Sequence, residues 1–162
     1  MGTLKYFSYL SFILLFISCN EYNDERHSFN TILLQQWNFS NCPKKIIFEK
    51  YLKNSNFKNI IEKDSSFNII CDSINKQIII SPYEPYIDKI NYDIKLIIDD
   101  DIEYEIKDIK SKLDTSFYSF SVGRKYYINY SIYSMTVNGN KSIQNNDVNI
   151  VISANDGTIK KK

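Results

Sequence analysis

The sequence is short of the residues that enzymes most often use for catalysis and metal binding. It contains one histidine, His27, three cysteines and four glycines among 162 residues. A single histidine in a polar stretch near the N-terminus gives little basis for Ser-His-Asp or Cys-His catalysis, or for a histidine-rich zinc site. No Cys-x-x-Cys pair and no phosphate-binding glycine pattern is present. We therefore predict no catalytic residues, no metal and no cofactor, and a protein that is not an enzyme.

An excess of charge of either sign is also missing. The chain has 20 Lys and Arg against 19 Asp and Glu, and removal of residues 1–18 would take away only Lys5, which balances the two signs. A basic surface supplies most of the non-specific affinity for nucleic acid. Nucleic acid is therefore not expected as a partner. A hydrolase that uses a pair of carboxylates stays as an alternative, although no spacing in the sequence identifies such a pair.

The first 18 residues have the form of a secretory signal. Lys5 precedes an apolar run, Tyr6 to Ile17, and the small residue Ser18 follows it. The run is shorter than the ~20 apolar residues that a membrane-spanning helix needs. The segment Phe16-Ile17-Ser18-Cys19 resembles the lipobox of bacterial lipoproteins. That resemblance implies cleavage before Cys19 and a diacylglyceryl group on its sulfur.

Two alternatives compete with lipidation: an ordinary cysteine beside a conventional cleavage site, and an uncleaved signal anchor. With lipidation, the chain divides into a signal peptide (1–18), a lipidated flexible tether (19–30) and one globular domain (31–162). The resemblance implies a protein held at a membrane of the cell envelope. Asn20 stands where inner-membrane lipoproteins commonly carry Asp, which favours the outer membrane, on its periplasmic or its surface face.

The apolar pattern and the turn signals of the mature chain predict an α+β, β-rich fold. We expect a mostly antiparallel sheet or sandwich of about 6–8 strands with one helical segment near the N-terminus of the mature domain. The helical segment is predicted within Pro43 to Lys63, where apolar residues follow an incomplete 3.6-residue period. From Ser66 onward the period becomes two. Ile102, Tyr104 and Ile106 alternate with charged residues, which is typical of a strand with one buried face. Three hairpins are expected, at residues 67–81, 92–107 and 117–137, followed by a tight turn at Asn138-Gly139.

Two groups of residues in the domain invite a chemical interpretation. Cys42 and Cys71 would face an oxidising compartment after export, so either a disulfide between them or two separate thiols is expected. The run Asp99-Asp100-Asp101 lies between two predicted strands and lacks the glycine bend of a calcium loop. We interpret it as a solvated turn.

The functional prediction is a lipid-anchored, non-enzymatic domain that binds an unidentified protein partner. One concrete form resembles the small immunity lipoproteins that neutralise toxins delivered by neighbouring bacteria, in its size, its anchor and its lack of catalytic chemistry, without a motif match. A surface-displayed structural or adhesive lipoprotein is the alternative.

Overall fold

A computed structural model describes residues 21–27, 29, 31–38, 41–83, 89–120, 123–147 and 149–159, with the backbone alone for 21–27, 116–120, 123–129 and 146–147. Cys19 and the predicted signal peptide lie outside the described residues. The strands are β1 (Glu21–His27), β2 (Ile32–Gln35), β3 (Ile46–Leu52), β4 (Ile60–Asp64), β5 (Phe67–Asp72), β6 (Gln77–Pro82), β7 (Tyr92–Ile98), β8 (Ile102–Phe120), β9 (Gly123–Val137), β10 (Asn140–Asp147), β11 (Ile150–Ser153) and β12 (Thr158–Ile159). A single 3₁₀ turn, Ala154–Asp156, precedes β12.

These strands form two sheets. The larger has eight strands in the order β1-β9-β8-β7-β3-β4, with β10 beside β9 and β12 beside β8. The smaller has the order β11-β2-β6-β5. The β1–β9 and β11–β2 pairs are parallel, and the other pairs are antiparallel. No helix among the described residues is both long and apolar enough to cross a membrane.

The two sheets share one hydrophobic core. Phe48, Leu96 and Tyr104 of the larger sheet belong to the same buried cluster as Ile32 and Ile80 of the smaller sheet. Two sheets that bury a common set of side chains between them form a sandwich. The prediction of a β-rich, mostly antiparallel fold is thus confirmed.

The predicted hairpins are present as β5–β6, β7–β8 and β8–β9. Tyr104 and Ile106 are fully buried, as their alternation with charged neighbours predicts. Asn138 and Gly139 both have positive φ, 46° and 86°, which is the backbone that a tight hairpin turn requires. The local sequence therefore identified these elements well.

The helical segment predicted within Pro43 to Lys63 is not formed. Those residues make the antiparallel strands β3 and β4 instead. Phe48 is buried against the core, whereas Ile47 and Tyr51 are buried on the opposite face of β3. A strand that is buried on both faces loses its period of two, and an apolar run of this kind cannot be distinguished from a helix by periodicity. The described residues form twelve strands, more than the predicted 6–8.

Ordered structure begins before the predicted domain boundary at residue 31. Strand β1 pairs with β9, and the Phe29 side chain is fully buried with its ring 5.8 Å from that of Phe48. Residues 19–30 are therefore not a flexible tether along their whole length. An edge strand is held mainly by backbone hydrogen bonds, so the polar sequence of β1 shows no apolar alternation that would reveal it.

Candidate binding face

One end of the sandwich gathers the turns that follow β2, β5 and β7. We call it the Trp37 end and define it by Trp37, Asn41, Ile74, Asp99 and Ile159. Trp37 and Asn41 line two neighbouring open grooves of about 360 Å³ and 300 Å³. The first groove is continued by the Cys42–Cys71 pair and the β5–β6 turn, and the second by the β7–β8 turn and Ile159.

Trp37 is the single tryptophan of the chain, is half-buried and lines both grooves. Its backbone N–H donates to the carbonyl of Lys76 at 2.7 Å, and its indole N–H donates to the carbonyl of Asn41 at 3.4 Å. The ring also packs against the edge of the hydrophobic core. The indole is thus fixed in position, with part of its surface open to solvent.

A disulfide fastens the loop after Trp37 to the smaller sheet. Cys42 and Cys71 are bonded, with 5.9 Å between their Cα atoms. Beyond Cys71, the Asp72 carboxylate accepts backbone hydrogen bonds from Ile74 and Asn75 at 3.1 and 3.0 Å. The bond from Asn75 is the largest cause of the lowered pKa of Asp72. This carboxylate therefore orders the turn that presents Ile74.

The run of three aspartates forms the β7–β8 turn, as predicted. Asp99 Oδ1 accepts hydrogen bonds from the backbone N–H groups of Lys44 and Lys45 at 2.8 and 2.9 Å. The Lys45 ammonium pairs with Asp100 at 3.0 Å. Asp99 and Asp100 have φ values of 50° and 62°, a backbone that Asp tolerates better than most residues. The carboxylates thus brace the neighbouring loop, and within the described ranges no group of three or more His, Cys, Asp or Glu side chains could hold a metal ion.

Aliphatic side chains at the Trp37 end are unusually open to solvent. Ile74 is 90% exposed at the tip of the β5–β6 turn, and Ile159 is 67% exposed beside the second groove. Asn38, Asn41 and Lys76 supply polar groups around the first groove. An aromatic and aliphatic centre within a polar rim is the usual composition of a protein-binding patch.

A row of charged side chains, which we call the charged row, crosses the outer face of the larger sheet. Glu49, Lys95 and Glu105 are cross-strand neighbours on β3, β7 and β8, and Lys63 on β4 extends the row. Lys63 pairs with Glu49 at 2.9 Å, and Lys95 pairs with Glu103 at 2.8 Å and with Glu105 at 3.2 Å. Opposite charges directly across a sheet are stabilising. The charged row therefore holds four strands in register.

Burial and hydrogen bonds shift the pKa of Glu49, in this charged row, and the pKa of Tyr51 beside it. Burial tends to raise the pKa of Glu49, but hydrogen bonds from Tyr51 and Lys63 outweigh it and lower that pKa. Burial and the bond to Glu49, 2.7 Å long, raise the pKa of Tyr51 to about 12. The Phe57 ring packs edge-on against Tyr51 at 5.4 Å and shields the pair from water. Glu49 therefore stays ionised and Tyr51 stays neutral at neutral pH, which suits a structural hydrogen bond between them.

The residues singled out from the sequence do not converge on one site. Cys19 lies outside the described residues, and His27 is at the end of β1, paired in register with Asn129 of β9. Cys42 and Cys71 do border the Trp37 end, whereas Trp37 and Ile74 themselves were not identified from the sequence. The uniqueness of Trp37 was the one available signal. Comparison with known proteins finds no protein-family model, no curated protein and no solved structure that matches this chain.

Proposed function

We propose that this protein is a lipid-anchored binding protein of the bacterial cell envelope that holds a protein partner at its Trp37 end. The single observation that carries the proposal is the composition of that end. It combines an immobilised half-buried indole, a 90% exposed isoleucine and a polar rim on turns that a disulfide and buttressing carboxylates make rigid. Preformed aromatic anchors in a polar surround are where binding energy concentrates in protein interfaces.

The anchor is supported by the sequence Phe16-Ile17-Ser18-Cys19 and by the point at which the fold starts. Strand β1 begins at Glu21, two residues after the proposed lipidated cysteine. A mature chain that starts at Cys19 would thus retain every described strand. Two or three acyl chains make a durable anchor, whereas one holds only marginally. A tethered binder also raises its own concentration where a delivered toxin would arrive, which is the basis of the immunity-type version of this function.

The anchor is tested by mass spectrometry of the N-terminal peptide from protein purified out of membranes. We expect an acylated Cys19 at the new N-terminus. The Cys19→Ser variant should lose membrane partition and should accumulate uncut. A variant that stays in the membrane fraction and is cut at the same position would contradict lipidation at Cys19.

The binding face is tested by photo-crosslinking in cells that make the protein naturally. A photoreactive phenylalanine derivative replaces Ile74 in one strain and Ile143, which is 78% exposed on β10, in a control strain. We expect a covalent adduct with one defined protein from position 74 alone. Equal adducts at both positions, or none at either, would contradict a binding face at the Trp37 end.

A display or adhesion role predicts a different location for the same domain. Protease added to intact cells would remove a surface-displayed domain but would not reach a periplasmic one. Protection in intact cells, followed by cleavage after the outer membrane is opened, is the result expected of an immunity-type protein.

A further inference from the structure

The β8–β9 hairpin extends well beyond the end of the β7–β8 pairing in the larger sheet. Pairing between β7 and β8 reaches only as far as Ile106, whereas β8 continues beside β9 to Phe120. At ~3.3 Å per residue, that continuation is about 45 Å long. Lys112, Leu113 and Asp114 within it are all exposed, with Leu113 at 54%. We call residues 111–120 and 123–130 the arm.

Strand β1 lies along the arm and begins near its far end. Glu21 is in register with Lys125, and β9 itself begins at Gly123, opposite Phe120. Cys19 precedes Glu21 by two residues, which spans at most ~7 Å of extended chain. The proposed lipid attachment point is therefore confined to the far end of the arm.

The sequence at the far end of the arm is aromatic and free of acidic residues. Its aromatic residues on the two strands are Phe117, Tyr118, Phe120, Tyr126 and Tyr127, and its cations are Arg124 and Lys125. No Asp or Glu occurs between Asp114 and Asp147. Aromatic residues with one polar edge, together with Lys and Arg, are enriched where proteins meet the headgroup layer of a membrane.

The charges on β1 determine whether electrostatic attraction or aromatic contact would hold the far end of the arm at a bilayer. Strand β1 carries Glu21, Asp24 and Glu25 against Arg26, and this net charge of −2 runs beside the arm and offsets Arg124 and Lys125. Attraction to anionic lipid is therefore weak, and any affinity for the bilayer must come from the aromatic residues. This distinguishes the arm from a polybasic membrane-binding segment, whose attraction fades as salt screens it.

We infer that the aromatic end of the arm lies in the headgroup layer of the membrane that carries the Cys19 lipid, and that the arm holds the Trp37 end away from that membrane. The inference rests on the proposed lipid anchor. β8 begins at Ile102, directly after the Asp99–Asp101 turn of the Trp37 end, and finishes at Phe120. The 19 residues of β8 span at most roughly 60 Å, with a break in the β8–β9 register between Lys107 and Ser111 at the base of the arm, so the arm separates its aromatic end from the Trp37 end.

The inference is tested with the lipidated protein in phosphatidylcholine vesicles that contain brominated phospholipid, a short-range quencher of tryptophan. Trp37→Phe removes the native fluorophore, and a new tryptophan is placed by Tyr118→Trp, by Phe120→Trp or, as the matched control at the opposite end, by Ile74→Trp. Circular dichroism checks that each variant is folded, and mass spectrometry checks the lipid on Cys19.

We expect emission from Tyr118→Trp and Phe120→Trp to fall about twofold with brominated lipid, and emission from Ile74→Trp to stay unchanged. Raising the salt to about 1 M should leave the quenching intact, because the contact is not electrostatic. With Cys19 acylated, unquenched emission at both arm positions overturns the docking but leaves the anchor standing, and quenching at Ile74→Trp overturns the orientation. Unmodified Cys19 overturns the anchor and the docking with it.

Discussion

Removal of the Cys42–Cys71 disulfide should lower the free energy of unfolding by about 3.6 kcal/mol. The two cysteines are 29 positions apart, and a cross-link across a loop of that size restricts the unfolded chain more than the folded one. Both cysteine residues are solvent-exposed, so a Cys42→Ser, Cys71→Ser double variant leaves no cavity in the core. The loss should therefore report the covalent link itself.

The assay is urea unfolding of the mature domain, oxidised and reduced, followed by circular dichroism. For a domain of this size we expect a fall of about 10–15 °C in the midpoint of a parallel thermal melt. The double variant should match the reduced wild type and should not respond to reductant. A loss below about 1 kcal/mol, or a double variant that still responds to reductant, would refute the assignment of the stabilisation to this cross-link.

Three further predictions concern the larger sheet and its edge. Because the fold lowers the pKa of Glu49, its carboxylate stabilises the protein above the unfolded pKa of about 4.3, and this contribution is lost as the pH falls through the lower folded value. Glu49→Gln should thus be destabilised at pH 7 by more than at pH 3 in urea titrations, and an equal deficit at both pH values would contradict this. A Cβ at Gly157 would lie 2.6 Å from Cγ2 of Ile102, so Gly157→Ala should lower the free energy of unfolding in urea by about 1–3 kcal/mol. A loss near zero would contradict this and would show that the backbone at residue 157 moves to make room for the methyl group. Tyr104 donates to the buried carbonyl of Ala154 at 3.0 Å, so Tyr104→Phe should lower the free energy of unfolding in urea by about 1–2 kcal/mol, whereas an unchanged free energy would mean that water replaces the hydroxyl.

The sequence pattern predicted the strands that bury one face and leave the other open to solvent. Residues 102–107 alternate between buried apolar and half-exposed charged side chains, and the structure reproduces that alternation. The sequence also predicted two turns, because Asn138-Gly139 and the Asp99–Asp101 run consist of residue types that tolerate positive φ. In each case a few neighbouring residues contain all of the information that the local structure requires.

The remaining elements depend on contacts that a local pattern does not contain. β3 was predicted as helical because the loop bearing Phe57 covers its outer face and thereby removes the alternation. The part of β8 from Lys112 to Thr115 is exposed and shows little apolar periodicity, because it lies beyond the end of the β7–β8 pairing at Ile106. The Trp37 end is assembled from residues as distant as Trp37 and Ile159, which are 122 positions apart and line the same groove. Its components are visible in the sequence, but their proximity is a product of the sandwich.

The start of β1 changes what a lipid anchor would do for this domain. A flexible tether of residues 20–30 would reach about 35 Å and would let the domain tumble freely at the membrane. Pairing of β1 with β9 uses most of that length in a strand and leaves only Asn20 between Cys19 and the fold. With the proposed lipid on Cys19, the protein would give up reach and gain orientation, because a lipid beside the far end of the β8–β9 hairpin would determine which end of the sandwich faces outward. A partner that arrives from the aqueous side would then meet the Trp37 end first, with its binding groups already ordered by the disulfide and the Asp99 turn.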